Sequence, residues 1–91
     1  MTPPAATRTF VVTNPQGLHA RPADLLAKLA QQYPCRIEII HGSERIDARS
    51  IINMLTLGAV EGTELRFEAT GPDAEVALDA IGGLFASNFG E

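Results

Sequence analysis

From Glu64 to Ala69 the chain alternates strictly, with Leu65, Phe67 and Ala69 on one side and Glu64, Arg66 and Glu68 on the other. A period of two is that of a β-strand with one buried and one solvated face. Such a strand belongs in a sheet covered on a single side, which favours antiparallel pairing and excludes a doubly covered parallel sheet. Cys35 to His41 repeats the pattern: Cys35, Ile37 and Ile39 oppose Arg36 and Glu38. Gly42-Ser43 then turns the chain into a shorter run, Glu44 to Asp47, so the two read as a hairpin. Arg8 to Thr13, rich in β-branched and aromatic residues, supplies a fourth strand.

Three helical segments separate these strands. Pro22, Leu25, Leu26, Leu29, Ala30 and Tyr33 follow the spacing of an amphipathic helix that Pro34 stops. Ser50 opens a short segment, Ile51 to Leu57, closed by Gly58. Gly71-Pro72-Asp73 starts a last helix with Ala74, Ala77, Leu78, Ile81, Leu84 and Phe85 on one stripe, weakened by Gly82-Gly83. The order β-α-β-β-α-β-α predicts an α+β open-faced sandwich: a four-stranded antiparallel sheet with three helices on one face. Residues 1–7 are expected to form a loose, flexible lead and 8–89 a single domain.

Composition narrows the function. The net charge of −4 and only seven Lys and Arg argue against a general nucleic-acid binder. One cysteine, Cys35, excludes an internal disulfide and a CxxC site. Two histidines far apart, with no Asp or Glu cluster around either, suggest no metal, and no glycine-rich nucleotide loop suggests a cofactor. No apolar run is long enough to cross a bilayer, and Met1 to Thr7 does not resemble a signal peptide, so a cytoplasmic setting is expected.

Gly17-Leu18-His19-Ala20-Arg21-Pro22-Ala23 carries the chemistry. It puts a nucleophilic histidine where a helix starts, and a helix start holds free N–H groups and partial positive charge. Arg21 adds a permanent charge with a donor fork suited to phosphate oxygens. Histidine is a poor N-cap, so capping does not explain His19. Pro22 disfavours helical angles at Arg21, which starts the helix at or after Arg21 by local preference. An anion cradle needs Pro22 inside the first turn, where its missing N–H costs no bond and the amides of Ala20 and Arg21 face the anion. The residues themselves thus suggest a site where a phosphoryl group is accepted and passed on.

Ser50 is explained as the cap of its helix. Ile51, Ile52 and Leu55 cannot all enter the core from so short a helix: 51, 54, 55 and 58 share a stripe, and Ile52 turns outward. An apolar patch beside His19 would suit partner docking. His41 is expected to be exposed beside its turn and Cys35 to be core.

GLHARPA after a first strand, with Arg49-Ser50-Ile51 opening a short helix, resembles the histidine-containing phosphocarrier (HPr) family of the bacterial phosphoenolpyruvate-dependent phosphotransferase system. The resemblance runs from about Arg8 to Phe89. It implies phosphorylation of His19 on Nδ1, with Arg21 and the amide of Ala20 receiving the phosphate. It also implies enzyme I as donor, a IIA-type domain as acceptor, a monomeric carrier with no substrate pocket, and a regulatory serine kinase acting on Ser50. Ile52-Asn53 stands where sugar-branch relatives usually have Met-Gly. Glu68 to Pro72 and Leu84 to Phe89 look like the nitrogen-related branch, NPr. A second reading is a non-catalytic module that regulates another protein through the patch around Ile51, Ile52 and Leu55.

Overall fold

In the computed structural model, which describes residues 5–90, the elements follow the expected order. Strand β1 is Ala5–Val11, helix α1 Ala20–Ala30, strand β2 Arg36–His41 and strand β3 Glu44–Asp47. Helix α2 is Ile51–Leu57, strand β4 Glu64–Thr70 and helix α3 Ala74–Ala86, followed by a 3-10 turn at Asn88–Gly90. The sheet order is β1-β4-β2-β3, with every neighbouring pair antiparallel. The last strand in sequence is therefore central, inserted between β1 and β2. Its two sets of backbone groups are both paired, and its strict alternation reflects that position.

Alternation decides the inside. Ala6 and Phe10 of β1, Ile37 and Ile39 of β2, and Leu65, Phe67 and Ala69 of β4 face the helices. The four phenylalanines of the chain form one cluster there. Phe10 stacks on Phe85 with ring centroids 4.9 Å apart, and Phe67 meets both edge-on. Phe89 meets Phe85 edge-on, also at 4.9 Å, which ties the C-terminal turn to the core. Aromatic pairs in such geometry contribute about 0.5–1.5 kcal/mol each beyond their burial. Gly82 is part of this packing: a Cβ there would lie 3.2 Å from Phe10 Cε1. Its small size in the helix interior admits the Phe10 ring.

On the open face, the register sets Glu38 directly opposite Glu68. Like charges so placed repel. Arg45 Nη1 donates to both, at 2.9 and 3.0 Å, and turns the pair into a bridged network. These carboxylates raise the Arg45 pKa above its ordinary value, through the bond to Glu38 first and then that to Glu68.

Several boundaries differ from the sequence reading. β1 begins at Ala5, because Ala5, Ala6 and Thr7 pair with Thr70, Ala69 and Glu68. Residues 5–7 are thus ordered strand, not lead; residues 1–4 lie outside the described residues. β1 ends at Val11, before Thr13, where the chain turns its groups toward the C-terminal turn. α1 ends at Ala30, so Tyr33 lies beyond the helix; Gln31 donates back to Ala27 as the cap. The innermost residues of α1 are Pro22, Ala23, Leu26, Ala27 and Ala30, with Leu25 and Leu29 half-buried beside them. Small residues face inward because α1 packs close to α2 and α3.

Candidate phosphoryl-acceptor site

The loop that delivers His19 is seated by one glycine. Gly17 N–H donates to the Asn14 carbonyl at 2.9 Å, closing the turn, and Gly17 adopts φ +72°. A Cβ at Gly17 would stand 2.4 Å from the Ala59 carbonyl oxygen. No L side chain fits, in conformation or in space. This close approach lets Leu18 N–H donate to the Ala59 carbonyl at 2.9 Å, while the Leu18 side chain is buried. The segment before His19 is therefore pinned to the loop between α2 and β4.

His19 itself is the N-cap of α1. Its backbone is extended (φ −83°, ψ −169°), and its carbonyl accepts the first helical bond from Ala23 N–H at 3.0 Å. Its side chain makes no capping bond. Helical geometry gives the amides of Ala20 and Arg21 no intrahelical acceptor. The first turn of α1 contains no acidic residue, so the helix itself places no negative charge at the positive end of its dipole. The ring is half-buried and its Nε2 atom is enclosed by protein.

The helix starts at Ala20, one residue earlier than the preference of residues before proline dictates. Pro22 is fully buried in the first turn, where its absent N–H forfeits no helical bond. Burial of its ring and the bond from Ala23 to His19 outweigh the local bias at Arg21. Pro22 therefore lies inside the first turn, the position that an anion cradle at this helix start would need.

Arg21 is exposed, and its Nη1 donates to the Phe89 carbonyl at 3.0 Å. Sequence reasoning did not bring the C-terminal turn to this site. Asn88-Phe89-Gly90 carries turn-forming Asn and Gly but nothing that names its partner 68 residues away.

The remaining candidates sit on and around α2. Ser50 Oγ accepts from Asn53 N–H at 3.2 Å, as an N-cap should, and Gly58 ends the helix in the left-handed conformation. Met54 is the fully buried residue of α2, with Ile51 half-buried. Ile52 is 73% exposed, as expected. Leu55, expected on the inner stripe, is 42% exposed, because one turn and a half of helix presents only a narrow edge to the core. The exposed apolar surface of α2 thus comprises Ile52 and Leu55, and Val60 in the following loop is exposed as well. Cys35 is buried and His41 exposed. Among the described residues no helix is long and apolar enough to cross a membrane.

With this geometry established, comparisons with known proteins converge. Residues 6–87 match the family model described as "PTS HPr component phosphorylation site". The multiphosphoryl transfer protein of Haemophilus influenzae is 39% identical over 90 residues, 96% of this chain, but the chain spans only 18% of that relative's length. The phosphocarrier protein HPr of Treponema pallidum is 37% identical over 84 residues, covering 92% of this chain and 96% of the relative. The crystal structure of HPr-C-His from Thermoanaerobacter tengcongensis superposes with a TM-score of 0.90 at 34% identity, covering 94% of this chain and 97% of that one. The chain belongs to the HPr family of the phosphotransferase system.

Proposed function

We propose that this chain is a phosphocarrier that takes a phosphoryl group onto His19 Nδ1 from enzyme I and passes it to a IIA-type domain in the cytoplasm. The observation that carries the reading is the uncapped start of α1, where Nε2 is enclosed and Arg21 lies two residues on. Attack requires the neutral imidazole with its proton on Nε2 and a lone pair on Nδ1. The Nδ1–phosphorus bond forms as the bond from phosphorus to the donor atom breaks, and the bonding electron pair leaves with the donor. The second transfer reverses the roles, with the acceptor's nucleophile displacing Nδ1.

The chain contributes positioning and charge balance, the main components of catalysis in phosphoryl transfer. A phosphorylated side chain carries roughly −1.5 to −2 charges near pH 7. The helix dipole stabilises it by about 0.3–1 kcal/mol. A charge-assisted bond from Arg21 adds about 1.5–3 kcal/mol. Arg21 reaches the phosphate by leaving the Phe89 carbonyl, so the net gain is smaller and the group stays transferable.

Ile52 and Leu55, flanked by half-buried Ile51, form the surface on which both partners dock, one after the other, with the carrier acting as a monomer. Ser50 is the site for a serine kinase: a phosphate there lies at the start of α2, where the dipole favours negative charge. Incubation with phosphoenolpyruvate and enzyme I is expected to leave an acid-labile phosphate on the protein. Phosphate incorporation into His19→Ala under the same conditions would refute the assignment. Purified enzyme I paralogues of the sugar and nitrogen-related branches, compared as donors, assign the branch by which one phosphorylates His19.

A further inference from the structure

The C-terminal turn is held in a conformation that its own residues do not favour. Asn88 and Phe89 have φ of 55° and 56°. Asparagine tolerates the left-handed region, but a bulky aromatic residue there is an outlier. Backbone of this kind persists only where its surroundings over-determine it. On one side the Phe89 ring is 1% exposed and packed against Phe85. On the other, Thr13 Oγ1 donates to Asn88 Oδ1 at 2.9 Å, and Asn14 Nδ2 donates to the Asn88 carbonyl at 3.4 Å. Asn14 is the buried polar residue of the described chain, and its carbonyl closes the turn leading to His19. The result of both sets of contacts is a Phe89 carbonyl placed 3.0 Å from Arg21 Nη1.

We propose that Thr13 and Asn88 are positioning residues for Arg21, and that their clasp sets how strongly the phosphohistidine is held. The inference rests on the reading of His19 as the phosphoryl acceptor. Arg21 exchanges a neutral carbonyl for an anionic oxygen when the phosphate forms. A guanidinium bonds an anionic phosphate oxygen, where both partners are charged, more strongly than a carbonyl, so the exchange proceeds. The fixed carbonyl nevertheless subtracts the existing Arg21 hydrogen bond from the gain. A turn freed from its clasp no longer presents that carbonyl, and Arg21 then favours the phosphate by a wider margin.

The test is the equilibrium of phosphoryl exchange between phospho-enzyme I and the full chain. Thr13→Val removes the donor while keeping the branched shape; Asn88→Gly removes the acceptor while keeping the left-handed backbone. Each is expected to shift the equilibrium toward phosphorylated carrier by about two- to tenfold, the factor equivalent to one net hydrogen bond. Thr13→Ser, which retains the hydroxyl, is expected to match the wild type. In an Arg21→Ala background Thr13→Val is expected to be silent, an outcome that a general loss of structure does not produce. An unshifted equilibrium in Thr13→Val and Asn88→Gly, or an equal shift with and without Arg21, overturns the clasp. A wild-type chain that takes up no phosphate overturns the phosphocarrier reading itself.

Discussion

Two helix starts in this molecule use the same backbone device to opposite ends. At α2, Ser50 is extended and its hydroxyl closes on Asn53 N–H, so the first turn is satisfied from within. At α1, His19 is extended and its carbonyl begins the helix, but its side chain makes no capping bond. α3 offers a third variant: Asp73 makes no capping bond either, but Asp73 and Glu75 set negative charge against the helix dipole. Only α1 combines an uncapped start with a first turn that lacks an acid and contains Arg21. A helix start capped by its own side chain stabilises the fold, whereas the start without a capping side chain is the one at which we propose the phosphoryl group is held.

The sharpest way to break this contrast is His19→Asp, which gives α1 the kind of cap that α2 has. Phosphoryl uptake from enzyme I is expected to vanish. Thermal or denaturant unfolding should show a protein more stable than wild type by about 0.5–1 kcal/mol, from the cap and the dipole together. A less stable protein would mean that the imidazole supports the helix start after all.

Gly17→Ala attacks the seating of the open end. Positive φ and a Cβ that would collide with the Ala59 carbonyl combine to destabilise by about 2 kcal/mol or more. Denaturant melts measure that loss, and transfer at a temperature where the variant is still folded should also be slowed.

Ser50→Ala is the matching change at the closed end. It should cost about 1 kcal/mol of stability and leave phosphate uptake by His19 intact. Loss of uptake in this variant would erase the distinction between a structural and a functional helix start.

The smallest expected effect comes from α3, away from the site. A Cβ on Gly83 meets nothing within 4 Å, so Gly83→Ala is expected to stabilise by about 0.5–1 kcal/mol without changing transfer. Gly82→Ala should gain less, because its Cβ presses on the Phe10 ring. Calorimetry on the two variants separates helix propensity from packing.

Much of the site was legible because its information is local. His19, Ala20 and Arg21 are neighbours in the chain, and the helix start that joins them follows from the turn before and the apolar spacing after. Ser50 and Gly58 were legible as the two ends of α2 for the same reason. Local preference alone leaves the start of α1 open by a residue, and burial of Pro22 outweighs the bias of a residue before proline to set it at Ala20. Local preference starts β1 after Ala5 and Ala6, which have weak strand preference of their own, and pairing with β4 imposes extension on them. Periodicity puts Leu55 on one stripe with Ile51 and Met54, but so short a helix offers the core little more than Met54 and part of Ile51, which leaves Leu55 at the exposed edge.

By itself, then, the sequence determined the elements, the one-sided sheet and the identity of the nucleophile, since each depends on residues a few positions apart. Tertiary structure alone decided that β4 lies between β1 and β2, and that Phe89 turns its carbonyl to Arg21. Strand order and long-range hydrogen bonds depend on which surfaces meet once the core closes. Residues separated by 68 positions carry no local pattern that announces such a contact.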